Sequence, residues 1–227
     1  LDIIPKLIIT KRYKNLNSFD AFLFPNINKE FQKTTFDYFD IPKEKLIDGS
    51  KIRHLYADKF TIPAHPYWEL NHHQLTTVSN VDKNILLKIQ DIFLSKNKNN
   101  EKNSKKIFID RSDSKFNHNK LSNNDEVCIH LKELGFEIIQ LTKLSFEEQI
   151  KIFNSAQIVV ANHGAGLTNI IFCKTNTQIV EIESPNFKCD VFGNISNYLN
   201  LNYKKVKANL NTSNNEEIFV ELKNLNF

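Results

Sequence analysis

The chain has little or none of several residue types that would assign it to a particular protein class. Its 227 residues include no methionine, one tryptophan, five glycines and three cysteines. The cysteines are far apart and form no CxxC pair, which argues against a disulfide framework or a structural zinc site. No apolar run approaches the ~18 residues of a membrane span, and no signal-peptide pattern is seen. Since residue 1 is not methionine, we expect a fragment of a longer protein or a processed chain.

Arginine is scarce among the charged residues. The 30 basic residues comprise 27 lysines and three arginines, namely Arg12, Arg53 and Arg111. Lysine supplies a point charge, whereas the planar guanidinium of arginine grips a carboxylate or phosphate with two parallel hydrogen bonds. An arginine in so lysine-rich a chain is therefore a candidate for a site that needs this geometry.

Overall charge and composition exclude only a few protein classes. The formal net charge of +4 and the pI near 8.8 are compatible with an anionic ligand but do not require one. The hydrophobic share of 41% and the charged share of 25% are typical of a globular protein, which excludes wholesale disorder. The densest basic cluster, residues 96–106, contains no aromatic residue, so we interpret it as a solvated loop and expect no nucleic-acid partner.

Hydrophobic periodicity alternates between strand and helix over most of the chain. Short apolar runs predict strands at residues 19–25, 106–110, 136–141, 157–161, 178–183 and 203–206. Helical spacing and end signals predict helices at residues 28–39, 81–94, 124–134, 145–154, 167–173, 191–199 and 216–225. Gly135 is the expected C-cap of one helix, and Ser145 with Glu148 forms a capping-box pattern at the start of the next.

This alternation predicts an α/β protein with a Rossmann-type, doubly wound parallel sheet. Short connections imply right-handed βαβ units, and strands 157–161 and 178–183 are apolar enough to be covered on both faces. We place the complete domain at residues 81–227, a linker at 66–80 and a partial second α/β unit at 1–65.

The most informative segment is Asn-His-Gly-Ala-Gly-Leu-Thr-Asn at residues 162–169, between a predicted strand and a predicted helix. It is neither a GxGxxG fingerprint nor a P-loop. Glycine permits close approach of the backbone, a helix start presents free N–H groups, and ligands of parallel sheets lie at strand carboxyl ends. We therefore predict a phosphate-binding loop formed by Gly164, Ala165, Gly166, Leu167, Thr168 and Asn169.

Three side chains are expected to complete this site. His163 adjoins the glycine turn and Arg111 follows strand 106–110, so both lie at the same edge of the sheet. Each is suited to holding a diphosphate or a developing negative charge, although a backbone-bonded histidine and a surface arginine are the structural alternatives. Glu181 is the candidate for a ribose contact, while the nearby Glu183 is expected to be solvated.

Several motifs in sequence order resemble the C-terminal pattern of glycosyltransferase family 61. They are KIFIDR, GFEIIQL, SFEEQ, HGAGLTN and QIVEI, within residues 106–183. The resemblance implies a GT-B-like architecture of two Rossmann-like halves with the donor between them, residues 1–65 belonging to the acceptor side. It also places Arg111, residues 163–169 and Glu181 on the donor side. A second arginine of the family pattern is missing, and Lys120 is the candidate replacement.

The resemblance also implies a reaction. We expect inverting transfer of a hexose or pentose from a nucleoside-diphosphate sugar, UDP-linked by preference, with no metal and no further cofactor. The sequence has no D-x-D metal motif, consistent with this expectation. His163 would stabilise the leaving group, and the N-terminal half would supply the base, for which Asp58 and His65 are our candidates ahead of His72 and His73.

The expected setting is capsular or cell-surface polysaccharide biosynthesis in the cytoplasm, with peripheral association at the inner face of the membrane left open. Its partners would be the nucleotide-sugar donor and a glycan or lipid-linked saccharide acceptor. Two other functions stay open. A nucleotide-sugar epimerase of GT-B-like fold would turn over its substrate without an acceptor, whereas a non-catalytic Rossmann-like module in polysaccharide assembly would bind partners but no nucleotide.

Overall fold

The computed structural model describes most of the chain, including all the strands of its central sheet. The described residues are 3–63, 70–71, 74–75, 82–97, 104–114, 119–186, 189–211 and 217–227, with the backbone alone at 70–71 and 74–75. The candidate bases His65, His72 and His73 and most of the predicted linker 66–80 lie outside them, and the predicted domain boundaries stay predictions.

Helices and strands alternate through the described residues. The α-helices are α1 Ile4–Tyr13, α2 Glu30–Tyr38, α3 Lys83–Lys96, α4 Asn124–Glu133, α5 Phe146–Asn154 and α6 Val191–Tyr198. The strands are β1 Phe22–Phe24, β2 Leu46–Asp48, β3 Leu70–Asn71, β4 Gln74–Leu75, β5 Lys105–Ile109, β6 Lys120–Leu121, β7 Glu137–Ile139, β8 Ala156–Asn162, β9 Gln178–Glu183, β10 Asn202–Lys207, β11 Asn209–Leu210 and β12 Glu217–Phe219. Short 3-10 helices occupy Leu16–Ser18, Lys43–Lys45, Gly49–Lys51, Leu141–Lys143, Ala165–Phe172 and Leu222–Leu225.

The C-terminal helix predicted over residues 216–225 is wrong. Residues Glu217–Phe219 form β12, and a 3-10 helix follows at Leu222–Leu225. Ile218 and Val220 are both buried and lie two residues apart, which is the repeat of a strand. Pairing of β12 with β6 and β11 therefore outweighs a segment that reads as helical by itself.

The remaining predicted strands and helices are present with slightly shifted ends. The helix expected at 167–173 is a 3-10 helix that begins earlier, at Ala165. Helix α1 was not predicted, although Pro5 in its first turn is a residue typical of helix starts.

Five parallel strands form the central sheet in the order β10-β9-β8-β5-β7. Numbered along the chain, this order is the 2-1-3-4-5 arrangement of doubly wound sheets, with the reversal between β5 and β8. The predicted α/β class and parallel sheet are confirmed. In such sheets ligands bind beyond the carboxyl ends of the strands at the reversal, here just after Ile109 and Asn162.

Hydrophobic clusters cover both faces of this sheet. Ile107, Val159 and Ile179 point to one face and pack with residues of α3, α5 and α6. Their neighbours Phe108 and Val160 point to the other face and pack with residues of α4 and β12. Because successive side chains of a strand alternate between faces, two faces this apolar require cover on both sides.

The N-terminal residues pack onto the first of these clusters. Strands β1 and β2 pair in parallel on either side of α2 in the chain, which makes a small β-α-β unit. Leu7, Phe24 and Phe36 of this region share one buried cluster with Phe93 and Phe146. Within the described ranges, every helix falls short of the length and apolarity needed to cross a membrane.

Candidate functional site

The predicted site residues from β5 and β8 meet at the reversal point of the sheet. Ile109 pairs with Ala161 across these strands, so the residues that follow each strand emerge side by side. Arg111 thereby reaches the glycine turn at His163 and Gly164. The sequence places these residues at one sheet edge, and the structure brings them into contact.

The Arg111 guanidinium contacts the glycine turn. Its Nη1 donates a hydrogen bond of 2.5 Å to the main-chain oxygen of His163. A Cβ atom at Gly164 would lie 2.4 Å from the same Nη1 and 2.7 Å from Cζ, so only glycine leaves room for the guanidinium.

Burial also determines the charge environment of Arg111. Loss of solvent lowers its pKa, and the nearby Asp113 carboxylate opposes this shift, so the guanidinium stays protonated at neutral pH. Within the described residues, no carboxylate forms an ion pair with it. Partial removal of a cation from water is costly when no carboxylate bonds to it, and an anionic ligand would relieve that cost.

Asp110 holds the turn from which Arg111 projects. Its Oδ1 accepts from Ser112 N at 2.8 Å and Asn124 Nδ2 at 3.1 Å, and its Oδ2 accepts from Gln140 Nε2 at 2.7 Å. Although burial alone raises the pKa of Asp110, the hydrogen bonds from these partners bring it below its ordinary value. Asp110 is thus an ionised, fully bonded anchor for the loop.

His163 is held by groups from two further strands. Its Nδ1 is hydrogen-bonded to Glu181 Oε1 on β9, and the other oxygen of Glu181 accepts from the Tyr203 hydroxyl on β10. Because the carboxylate is an acceptor, we assign a proton to Nδ1. Burial and the Glu181 carboxylate raise the pKa of Tyr203, which keeps its hydroxyl a donor. The imidazole also packs on Phe192 with ring centroids 5.1 Å apart, and its side chain remains 11% exposed.

Glu181 lies behind His163. Its side chain is fully buried, and both carboxylate oxygens are engaged by His163 and Tyr203. Because both oxygens already accept hydrogen bonds from the protein, this placement favours a positioning role over the direct ribose contact predicted from sequence.

The loop from Gly164 to Asn169 divides into a more exposed part and a packing part. Leu167 is buried and its N–H donates to Gly164 O at 3.0 Å, while Asn169 Nδ2 donates to Gln149 Oε1 on α5 at 3.0 Å. These residues, predicted as ligand contacts, hold the 3-10 helix in place. The N–H groups of Ala165 and Gly166 precede the first helical hydrogen bond, and Ala165 is exposed. Thr168 is partly exposed on the same helix.

A pocket of about 150 Å³ opens beside the glycine turn, and its lining residues are Arg111, Ser112, Lys120, Leu121, Asn124, Asn162 and Glu217. The predicted cations Arg111 and Lys120 therefore line the same space. Asn162 is 3% exposed, and its Oδ1 has no hydrogen-bond partner. Leaving such an atom unpaired costs about 1–3 kcal/mol.

Of the predicted acceptor-side candidates, Asp58 lies within the described residues. Asp58 is exposed and accepts a hydrogen bond of 3.1 Å from Tyr56. No hydrogen bond or ion pair within the described residues joins Asp58 to His163 or Arg111. The same residues contain no group of three or more His, Cys, Asp or Glu side chains placed to hold a metal ion, and metal independence stays a prediction.

Sequence reasoning missed Tyr203, Phe192 and Asn162. Tyr203 reaches Glu181 because β10 pairs with β9, and strand pairing of this kind leaves no local motif. Phe192 reads as an ordinary core residue of a helix. The sequence did contain a signal for Asn162. It is a polar residue that ends an apolar strand and directly precedes His163 and the glycine turn.

Comparisons with known proteins show which family the sequence resembles. The sequence model of the family described as Glycosyltransferase 61 matches residues 1–180. A beta-1,2-xylosyltransferase of Arabidopsis thaliana is 32% identical over 75 residues, which is 32% of this chain and 14% of the plant protein. The beta-1,2-xylosyltransferase RCN11 of Oryza sativa subsp. japonica is 27% identical over 82 residues, which is 36% of this chain and 15% of that protein. The matched segments thus span about one seventh of each plant protein.

Proposed function

The chain belongs to the glycosyltransferase 61 family, and from this premise we propose that it transfers a sugar from an activated donor to a glycan acceptor. The donor we propose is a UDP-linked sugar, bound beyond the carboxyl ends of the neighbouring strands β5 and β8. The observation that carries this proposal is the Arg111 guanidinium lying on Gly164 and bonded to His163 O, beside a pocket that Lys120 also lines.

The site's charges suit a diphosphate leaving group. Two cations, Arg111 and Lys120, and one carboxylate, Glu217, line one small pocket, and the N–H groups of Ala165 and Gly166 lie at the start of the nearby 3-10 helix. Fixed donors in a partly buried site stabilise developing negative charge more strongly than water does. His163, held through Nδ1 by the Glu181 carboxylate, can donate from Nε2 to the departing oxygen when the imidazole is protonated on both nitrogens.

In the reaction we propose, an acceptor hydroxyl oxygen attacks the anomeric carbon from the face opposite the diphosphate. The new carbon–oxygen bond forms as the bond to the diphosphate oxygen breaks, which inverts the anomeric centre. A base takes the hydroxyl proton, and the electron pair of the broken bond leaves with the diphosphate, where Arg111, Lys120 and His163 hold the charge. Asp58 and His65 remain our sequence-based candidates for the base.

The domain built on the central five-stranded sheet would be the donor half of a GT-B-like pair. The small β1-α2-β2 unit, which packs against it, is the part of the described chain that we assign to the acceptor side. The two plant relatives are named as xylosyltransferases, which favours a pentose over a hexose in the donor. Capsular or cell-surface polysaccharide as the product, and a cytoplasmic location, stay predictions from the sequence.

Calorimetric titration with a panel of nucleoside diphosphates tests the proposal. We expect binding of one member, and we expect Arg111→Lys to weaken it by about tenfold to a hundredfold, because lysine loses the bidentate grip. Lys143→Arg, an exposed lysine outside the pocket, is the matched control and should leave affinity unchanged. Absence of binding to every nucleotide would exclude the transferase, whereas turnover of a nucleotide sugar without an acceptor would favour the epimerase.

A further inference from the structure

One buried oxygen beside the cations of the site lacks a hydrogen-bond partner. Within the described residues, three buried side-chain atoms are unpaired, namely Asp48 Oδ2, Asn162 Oδ1 and Ser196 Oγ. Of these residues, Asn162 lines the pocket of about 150 Å³ together with Arg111 and Lys120. It is the last residue of β8, at the reversal point of the sheet.

The amide of Asn162 cannot be turned over to remove this deficit. Its Nδ2 donates to the main-chain oxygen of Asn119 at 2.8 Å. The reversed amide would place Oδ1 against that oxygen, which has no proton to offer. With 3% of the residue exposed, bulk water reaches Oδ1 poorly, so the acceptor is oriented and unused.

The pocket presents both donors and acceptors of hydrogen bonds. Arg111 and Lys120 can only donate, and they favour an anion. Glu217 and Asn162 Oδ1 can only accept, and of these two Glu217 already accepts from Asn211, whereas Asn162 Oδ1 has no partner. A fully ionised diphosphate satisfies the cations but has no proton for Asn162. The complementary ligand carries a hydroxyl group close to its phosphates.

We propose that Asn162 Oδ1 accepts a hydrogen bond from a hydroxyl group of the nucleotide-sugar donor and so discriminates the donor from free diphosphate. This rests on the proposed function and adds a specificity-determining residue to its site. The pocket is smaller than the about 300–1,000 Å³ typical of sites for drug-sized ligands, so it takes one portion of the donor. The hydroxyl belongs either to the ribose or to the transferred sugar.

Calorimetric titration of the wild-type chain and Asn162→Ala separates these sources. The probes are uridine diphosphate, 2′,3′-dideoxyuridine diphosphate, UDP-xylose and inorganic diphosphate. We expect Asn162→Ala to lose about tenfold in affinity for the hydroxyl-bearing ligand and to bind inorganic diphosphate unchanged. A loss already seen with uridine diphosphate but not with its dideoxy analogue assigns the ribose, and a loss confined to UDP-xylose assigns the sugar.

Asn154→Ala is the matched control. Asn154 is also buried and also donates through Nδ2 to a main-chain oxygen, that of Phe172 at 2.9 Å, but it does not line this pocket. It should cost stability without changing affinity for any of the four ligands. If Asn162→Ala fails to fold, the test can be made on the wild-type chain without a substitution. It then compares the affinity for uridine diphosphate with that for its dideoxy analogue, and the affinity for UDP-xylose with that for uridine diphosphate.

The outcomes distinguish the inference from the proposed function. Equal affinity of the wild-type chain and Asn162→Ala for both uridine diphosphate and UDP-xylose overturns the inference alone. In the comparison on the wild-type chain alone, the inference is also overturned if uridine diphosphate, its dideoxy analogue and UDP-xylose all bind with equal affinity. Wild-type protein that binds none of the nucleotides overturns both.

Discussion

At the scale of single residues, Gly164 determines where the Arg111 guanidinium can lie. We expect Gly164→Ala to weaken nucleotide binding about tenfold, because the new Cβ would overlap the guanidinium and displace it from His163 O. The fold should survive, since the displaced atoms are the end of a flexible side chain. Calorimetry for affinity and thermal unfolding for stability check this prediction.

The control for this variant is Gly135→Ala. Gly135 has a positive φ of 81° at the end of α4, so alanine there strains the backbone and lowers stability by about 1 kcal/mol. Nucleotide affinity should not change with Gly135→Ala. Gly164→Ala with wild-type affinity would mean that the guanidinium placement does not matter for binding.

Tyr203 begins the series of hydrogen bonds that runs through Glu181 to His163. Tyr203→Phe removes the hydroxyl that donates to Glu181 and leaves a fully buried carboxylate oxygen unpaired. We expect the free energy of unfolding to fall by about 1–3 kcal/mol, and the 15N signal of the His163 Nδ1–H to shift. Denaturant unfolding and 15N NMR of the imidazole measure these two effects.

Tyr198→Phe serves as the comparison for Tyr203→Phe. Tyr198 is also partly buried on the neighbouring α6, but its hydroxyl makes no hydrogen bond with the described residues. It should leave both readouts unchanged. Equal stability and an unshifted His163 signal in Tyr203→Phe would show that Tyr203 does not position the imidazole.

At the scale of elements, the capping box at the start of α5 stabilises the helix that holds the 3-10 helix of the site. Ser145 N donates to Glu148 Oε2 at 2.7 Å, and Glu148 N donates back to Ser145 Oγ at 3.3 Å. The next residue, Gln149, bonds Leu141 O at 3.0 Å and also receives the Asn169 amide. The start of α5 thereby ties the 3-10 helix after Gly164 to the rest of the fold.

Removing this cap should cost stability. We expect Ser145→Ala to lower the free energy of unfolding by about 1 kcal/mol, because it leaves a first-turn N–H without its acceptor. Urea denaturation measures the change, and Ser95→Ala, at an exposed position within α3, should have a smaller effect. If both variants lose the same stability, the cap contributes nothing specific.

Elements with a complete local signal were predictable, and elements that depend on distant partners were not. The capping box of α5 and the left-handed Gly135 after α4 are both present as predicted, since each involves residues close together in sequence. Residues 217–219 have apolar positions compatible with helix or strand, and pairing with β6, about a hundred residues earlier, decides for strand.

At the scale of the whole molecule, Phe93 connects the N-terminal residues to the sheet. Its fully buried ring lies 4.5 Å from Tyr38, 5.6 Å from Phe146 and 5.8 Å from Phe172, measured between centroids. These contacts join α2, α3, α5 and the 3-10 helix of the candidate site in one cluster.

We expect Phe93→Ala to lower the free energy of unfolding by about 3–5 kcal/mol, because it opens a cavity where these elements meet. Urea unfolding followed by far-UV circular dichroism measures the loss. Phe60→Ala, at a position 56% exposed, should change stability little. Comparable losses in the two variants would contradict a central role for Phe93.

The amino-acid sequence by itself determined the α/β class, most strands and helices, and the placement of Arg111 and the glycine turn at one edge of the sheet. These follow from short-range periodicity and from the rule that parallel strands present their carboxyl ends at one edge. Only the tertiary structure decided that Glu181 supports His163, that Tyr203 completes this chain of hydrogen bonds, and that Asn162 Oδ1 is unpaired. The reason is physical: burial and partner choice depend on which strands lie side by side, and neighbours in the sheet are far apart in sequence.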